Sequence, residues 1–234
     1  MNGGKAKSPL IILAGSAAGL ALIAVLVLRM VPSGPVAGRS ADERPLEGLQ
    51  VFGTVPPFSL VERSGRPVTR EDLIGKVWIA NFIYTHCPDN CPLQTAEMAR
   101  LQSALTAEGN LRLVSITVDP KRDTPAVLTQ YANRYGADPN RWLFLTGEKV
   151  AIYRLAQEGF HLSVVDPEQR AEGWFFTPAP AFAHHAENEK QFIHSSRFVL
   201  VDRQARIRGY YQSNDEEALR RLRRDTRTLL QGEK

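Results

Sequence analysis

The feature that most constrains this chain is an apolar run near its amino terminus. Residues 9–28 carry no charged side chain, and nearly every position is Leu, Ile, Val, Ala or Gly. A helix of about 20 such residues spans the roughly 30 Å hydrocarbon core of a membrane. A cleaved signal peptide is the alternative, but the run is long for one and no clean small-residue cleavage site follows it. We therefore predict a transmembrane anchor over residues 9–31, after a cytoplasmic tail of residues 1–8.

The remaining chain divides into a tether and one domain. Residues 32–50 are rich in Pro, Gly, Ser and charged side chains, a composition typical of a flexible tether. Residues 51–234 are long enough for a domain with a substantial core. Within them, apolar β-rich runs alternate with helix-forming stretches, and a hairpin pattern precedes a last helix. This order predicts an α/β sandwich with a central mixed sheet, interrupted by a long loop over residues 166–190.

The basic character of the chain has a local origin. The formal net charge is +4, and residues 220–227 alone contain five arginines among leucines at helical spacing. Such a run is usually the solvated face of a packed helix. The stretch has no interleaved aromatic residues and matches no nucleic-acid motif, so we expect no nucleic-acid partner.

The two cysteines point to one specific use of the pair. Cys87 and Cys91 lie where an apolar strand pattern ends and a helix pattern begins. Amides at a helix start favour negative charge, so a cysteine there is predicted to ionise readily. Four positions apart, the sulfurs can bind one metal or close as a disulfide. A purely structural disulfide gains little from so short a loop, and C-x-x-x-C spacing, unlike the redox C-x-x-C spacing, favours a metal.

The metal and its remaining ligands follow from donor chemistry. Thiolates with an imidazole suit Cu(I), and zinc is the alternative, although a structural zinc site normally has four ligands. His194 precedes a buried strand, at an element end from which its side chain can face the cysteine loop. His86 is expected to point away from the pair, and His161 to be structural or exposed within a strand. His184 and His185 lie in the long loop as solvated residues or, alternatively, ligands.

Three segments, in order, resemble the Sco (SenC) family of copper-binding assembly factors for cytochrome c oxidase. Residues 81–92 read NFIYTHCPDNCP and contain both cysteines. Residues 118–125 read VDPKRDTP, and residues 193–202 contain IHSS followed by FVLVD. The resemblance extends over roughly residues 58–212.

The resemblance implies a thioredoxin-like (peroxiredoxin-like) fold that binds copper through Cys87, Cys91 and His194. It also implies that Asp119 lies near the site, where it would contact the copper ligands without binding the copper itself, or would help to dock a partner protein. The alternative role for Asp119 is turn or cap chemistry before Pro120. The implied partners are the oxidase subunit that holds the binuclear copper site and a copper donor chaperone or thiol reductant.

Two functions remain open on the same residues. A copper metallochaperone is favoured, and a thiol–disulfide oxidoreductase acting on the oxidase copper-site cysteines or other exported proteins is the alternative. Peroxidase activity is disfavoured because Thr85 stands two residues before Cys87, where the usual pattern needs three. Since disulfides persist outside the cytoplasm, we expect a single-pass protein of a bacterial inner membrane with its C-terminal domain in the periplasm.

Overall fold

The computed structural model describes residues 48–88, 90–106, 108–164 and 196–232. These residues all belong to the unit Pro45–Lys234. The anchor predicted over residues 9–31 and the loop predicted over residues 166–190 lie outside the described ranges. Among the residues that are described, no helix has the length and apolar character needed to cross a bilayer.

The described strands form one mixed sheet. In chain order they are β1 (Gly53–Thr54), β2 (Ser59–Glu62), β3 (Pro67–Thr69), β4 (Val77–Ile83), β5 (Leu111–Thr117), β6 (Trp142–Thr146), β7 (Arg197–Val201) and β8 (Arg206–Gln212). Their order across the sheet is β1-β8-β7-β4-β5-β6-β2-β3. β4, β5 and β6 run parallel, and the other neighbouring strands pair antiparallel. The predicted central mixed sheet is therefore confirmed.

β4 lies in the middle of the sheet because its sequence is apolar on both faces. All seven of its residues are buried, as expected for a strand covered by helices on either side. β5 pairs with β4 on one side and β7 pairs with it on the other. The apolar run that predicted this strand thus also identifies the element from which the cysteine loop departs.

Four α-helices are found in the described ranges. They are α1 (Asn90–Ala104), α2 (Pro125–Arg134), α3 (Lys149–Arg154) and α4 (Glu216–Gln231), with a 3₁₀ turn at Glu71–Leu73 and a π-helical turn at Leu155–Gly159. Thr124 followed by Pro125 predicts a helix start, and α2 begins there: the Thr124 hydroxyl accepts a hydrogen bond from the Val127 amide. This is the usual role of threonine at a helix start.

Helix-forming residues between Pro92 and Gly109 predict a helix over residues 92–108, and α1 differs from these bounds at both ends. It begins at Asn90 because Pro92 is tolerated anywhere in the first turn, where backbone N–H groups have no helical partner. It ends at Ala104, and the Thr106 hydroxyl donates to the Ser103 carbonyl oxygen at 2.6 Å. Such hydroxyl bonds compete with further helical hydrogen bonds. Cys91 therefore lies inside the first helical turn rather than before it.

The hairpin and the last helix close the sheet. The sequence predicts a hairpin that turns around residues 203–205, and β7 and β8 pair across this turn, where Ala205 has a φ of 59°. The sequence predicts that Asn214 begins the last helix, but α4 is capped by Asp215, whose carboxylate accepts from the Glu217 and Ala218 amides. A carboxylate is a stronger acceptor for amides at a helix start than an amide oxygen.

Candidate metal centre

The sheet brings the described parts of the three motif segments to one end. β4 and β5 are parallel, with Ile83 opposite Thr117, so the chain leaves both strands at the same edge. β7 runs antiparallel to β4, with Ala80 opposite Val199, so β7 enters the sheet from that edge. The segment with both cysteines, the segment with Asp119 and Ser196, the described residue before β7, therefore lie at one end of the sheet.

The two cysteines lie against each other in a buried turn. The Cys91 amide donates a hydrogen bond to the Cys87 sulfur, with 3.4 Å between nitrogen and sulfur. Cys87 is 7% exposed and Cys91 is fully buried. Both are in the reduced form. The backbone at Cys87 is held by its amide, which donates to the Tyr84 carbonyl oxygen at 3.3 Å.

The environment of Cys91 opposes ionisation in the absence of a metal. Burial raises the pKa of the Cys91 thiol strongly, a backbone hydrogen bond from Tyr84 opposes part of this rise, and the neighbouring Cys87 adds to it. The predicted easily ionised thiol is therefore wrong for Cys91, because burial outweighs the effect of the helix start. A bound metal ion would displace this proton, since coordination deprotonates a thiol outright.

A hydroxyl pair supports the helical turn that carries Cys91. The Thr95 hydroxyl lies 2.7 Å from the Cys91 carbonyl oxygen and 2.9 Å from the Tyr131 hydroxyl. Thr95 has one hydroxyl hydrogen, which it gives to Cys91, so Tyr131 must donate to Thr95. Burial raises the pKa of Tyr131, which keeps this donor protonated. α1 and α2 are thus joined directly behind the cysteines.

Asp119 has a clear role in the turn after β5. Its amide donates to the Thr117 hydroxyl at 3.0 Å, and its carbonyl oxygen accepts from the amides of Arg122 and Asp123. Its side chain is nearly buried, and Arg122 lies 3.8 Å from one carboxylate oxygen. Burial raises the pKa of Asp119, and the charge of Asp123 adds to the rise. The turn role is visible, while the role next to copper stays a prediction.

Sequence reasoning missed Asp123, which lies deeper than Asp119. Asp123 is fully buried, and its carboxylate accepts from the Thr85 amide, the Thr85 hydroxyl and the Thr117 hydroxyl. It therefore joins the loop before Cys87 to the end of β5. The sequence feature that could have identified Asp123 is its position as the second aspartate of VDPKRDTP, directly before Thr124, which caps α2.

His86 and His161 are the histidines that lie within the described residues. The His86 ring is 61% exposed, and its Nδ1 atom lies 3.0 Å from the Thr85 hydroxyl. His161 is exposed and has a φ of 51° just after the π-helical turn, so the predicted strand is wrong and the surface alternative is right. His184, His185 and His194 lie outside the described residues. Among the residues described, no group of three or more His, Cys, Asp or Glu side chains could hold a metal.

Comparison with known proteins identifies the family. The SCO1/SenC family model matches residues 48–231 of this chain. The chain belongs to the SCO1/SenC family. An SCO1 protein homolog of Bacillus subtilis is 36% identical over 149 residues, which make up 63% of this chain and 67% of that relative. The resemblance inferred from the three motifs is thereby confirmed.

Solved structures of the family share this fold. BsSco, described as a member of the Sco family of cytochrome c oxidase assembly proteins with a disulfide switch, matches with a TM-score of 0.63 and 30% identity over 77% of this chain and 96% of BsSco. ScoI of Bradyrhizobium japonicum with copper bound matches with a TM-score of 0.53 and 26% identity over 73% of this chain and 98% of ScoI. The mixed α/β, thioredoxin-like fold is therefore that of the Sco structures.

Proposed function

We propose that this chain is a copper metallochaperone. It binds one copper ion through Cys87, Cys91 and His194 and delivers it to the binuclear copper site of cytochrome c oxidase during assembly. The observation that carries the proposal is the buried pair of cysteines: the Cys91 amide donates to the Cys87 sulfur at 3.4 Å, and the two cysteine side chains interact with each other. Two thiolates and an imidazole form a donor set suited to Cu(I). The copper held by ScoI and the oxidase assembly role of BsSco support the same assignment.

A chain-length argument supports His194 as the third ligand. Continued from Ala80 opposite Val199, the register of β4 and β7 brings the first residue of β7, Arg197, opposite Phe82. Neighbouring strands are about 4.8 Å apart, so β7 starts close to the point where the cysteine loop leaves β4. His194 is two residues from the described Ser196, and two residues span at most about 7 Å. A histidine on so short a stretch of chain is within range of the cysteine loop.

Gln94 ties the same two segments together. It lies one turn after Cys91 in α1, is nearly fully buried, and donates from Nε2 to the Arg197 carbonyl oxygen at 3.4 Å. The helix that carries Cys91 is thereby bonded to the first residue of β7. This contact supports a fixed spacing between Cys91 and the residues that precede β7.

The burial of the sulfurs bears on how copper would be held and released. A site with little exposure keeps water and oxidants away from Cu(I). Because Cys87 retains 7% exposure and Cys91 none, donors of a recipient protein would reach the ion from the Cys87 side. The recipient under this proposal is the oxidase subunit with the copper site, and a separate copper donor or thiol reductant would prepare the chain for loading.

A thiol–disulfide oxidoreductase is the second candidate, and the same sulfur contact favours it. In this reaction the Cys87 thiolate attacks a partner's disulfide, and Cys91 then displaces the partner and closes a Cys87–Cys91 disulfide. Two electrons pass to the partner, which leaves with both of its sulfurs reduced. The disulfide switch described for BsSco is consistent with such a bond. The raised pKa of Cys91 argues against fast turnover, since the resolving step needs the thiolate.

The proposed location follows from the sequence. An anchor over residues 9–31 would hold the domain at a bacterial inner membrane, with residues 32–50 as a tether and the domain on the periplasmic side. A recipient in the same membrane could then be reached without release of the protein.

The ligand assignment is tested by histidine variants of the purified full-length chain. We expect His194→Ala to weaken Cu(I) binding while the Cys87–Cys91 disulfide still forms on oxidation, because the sulfur chemistry does not need the imidazole. The matched control is the double variant His184→Ala with His185→Ala, which should bind like the wild type. Loss of binding in the double variant, with binding retained in His194→Ala, would show that the ligand assignment is wrong.

A further inference from the structure

A buried carboxylate lies directly beneath the loop that leads to Cys87. Asp123 is fully buried, and its two oxygens accept three hydrogen bonds. The Thr85 amide lies 3.1 Å from Oδ2, the Thr85 hydroxyl 2.5 Å from Oδ1 and the Thr117 hydroxyl 2.5 Å from Oδ2. A buried carboxylate is retained only where donors such as these satisfy it.

The three donors come from two separate parts of the fold. Thr85 belongs to the short segment between β4 and Cys87, and Thr117 is the last residue of β5. Asp123 itself is fixed to the turn after β5, because its amide donates to the Asp119 carbonyl oxygen at 2.9 Å. One side chain therefore bonds the cysteine loop to the adjacent strand and turn.

The network reaches the residue next to Cys87. Thr85 has one hydroxyl hydrogen and directs it to Asp123, so the 3.0 Å contact between Thr85 and His86 requires His86 Nδ1 to be the donor. Residues 85 and 86 are thus both oriented from Asp123. Cys87 follows immediately, and its amide donates to the Tyr84 carbonyl oxygen at 3.3 Å.

We infer that Asp123 is a positioning residue, which holds the loop of residues 85–87 so that the Cys87 sulfur stays beside Cys91. For its copper readout the inference rests on the proposed function, whereas its thiol readout does not. Replacing a residue that orients metal ligands without binding the metal itself commonly weakens metal affinity by about 10- to 100-fold. Asn at position 123 keeps the shape of the side chain but replaces one accepting oxygen with an NH₂ group. That group would face the hydrogen-bond donors of Thr85 or Thr117.

The test compares two buried aspartates in the full-length chain. Asp123→Asn is the variant and Asp202→Asn is the matched control. Asp202 is also fully buried and hydrogen-bonded, but it follows β7 at the end of the sheet away from the cysteine loop. We expect Asp123→Asn to lower Cu(I) affinity about 10- to 100-fold in competition with a chromophoric chelator. Asp202→Asn should keep the wild-type affinity even if it lowers stability.

A metal-free measurement keeps the inference separate from the proposed function. In the reduced chain, the thiols of Asp123→Asn should react faster than wild type with a small aromatic disulfide, at a rate unchanged by low concentrations of urea. Independence from urea identifies a local opening of the loop rather than global unfolding. If the wild-type chain bound no copper, the proposed function would fail while these rates still decided the role of Asp123.

A milder pair of variants covers the case in which Asp123→Asn does not fold. Thr117→Val removes one of the three donors, and Thr117→Ser keeps it. We expect faster thiol reaction and weaker Cu(I) binding in Thr117→Val, with both restored in Thr117→Ser. Wild-type rates and affinity in Asp123→Asn, or in Thr117→Val where the former does not fold, would overturn the inference. Equal losses in Asp202→Asn would overturn it as well.

Discussion

The bond between Thr95 and Tyr131 allows a quantitative test of the packing behind the cysteines. Thr95→Val removes the hydroxyl while keeping the shape of the side chain. It loses the hydrogen bond to the Cys91 carbonyl oxygen, worth about 1 kcal/mol. It also takes the acceptor away from the buried Tyr131 hydroxyl, which costs about 1–3 kcal/mol. We therefore expect Thr95→Val to lower the free energy of unfolding by about 2–4 kcal/mol.

A double-mutant cycle with Tyr131→Phe removes the hydroxyl that Thr95→Val leaves without an acceptor. Tyr131→Phe alone loses one neutral hydrogen bond, about 0.5–1.5 kcal/mol. It leaves no buried donor without a partner, because the hydroxyl that it removes was the donor of that bond. In the double variant no hydroxyl remains to be stranded, so its loss should be about 1–2 kcal/mol smaller than the sum of the two single losses. The measurement is urea unfolding of the metal-free, reduced full-length chain, followed by tryptophan fluorescence.

Thr226 offers a matched control for this cycle. Its buried hydroxyl donates to the Leu222 carbonyl oxygen at 2.7 Å, the same bond that Thr95 makes to Cys91. Thr226→Val should therefore cost only about 1 kcal/mol. Additive losses for Thr95→Val and Tyr131→Phe, within about 0.5 kcal/mol, would refute the assigned direction of the bond. A loss in Thr226→Val as large as that in Thr95→Val would do the same.

Two further predictions concern acid stability and topology. Burial by itself would raise the pKa of Asp202, but hydrogen bonds from Arg208 and Arg206 outweigh it and lower the pKa. Its stabilising contribution should be complete above the unfolded pKa of about 3.9 and be lost as the pH falls through the lower folded value. Wild type should therefore lose more stability than Asp202→Asn between about pH 5 and pH 2 in urea unfolding, and equal losses would contradict this origin. A phosphatase that is active only outside the cytoplasm should be active when fused after Lys234. Activity of a cytoplasm-only reporter at that position would overturn the predicted orientation.

The sheet could be predicted because its strands carry their own signal. β4 is apolar at nearly every position, and a strand buried on both faces must be. The same argument does not extend to side chains that are placed by partners distant in sequence. Asp123 looks like an ordinary turn residue in the sequence. Its role depends on Thr85, 38 residues earlier, which comes close only when β4 and β5 pair.

The positions of the two cysteines could be predicted from the sequence, but the electrostatics around them could not. The spacing of Cys87 and Cys91 and their position after a buried strand are visible in the sequence, and the contact between them follows. The expectation of a readily ionised Cys91 failed because Cys91 is fully buried, and burial raises the pKa of its thiol more than the helix start lowers it. That burial depends on packing against residues distant in the sequence, which the local pattern around the cysteines does not show.

The copper proposal is tested most directly by the copper content of the purified full-length chain in its two redox forms. The same two sulfurs serve either as ligands or as a disulfide, and a disulfide offers no thiolate to a metal. We expect one tightly bound copper ion per chain when Cys87 and Cys91 are reduced, and almost none after they are oxidised. Equal copper binding by the reduced and the oxidised chain would contradict the proposal that these two sulfurs hold the ion.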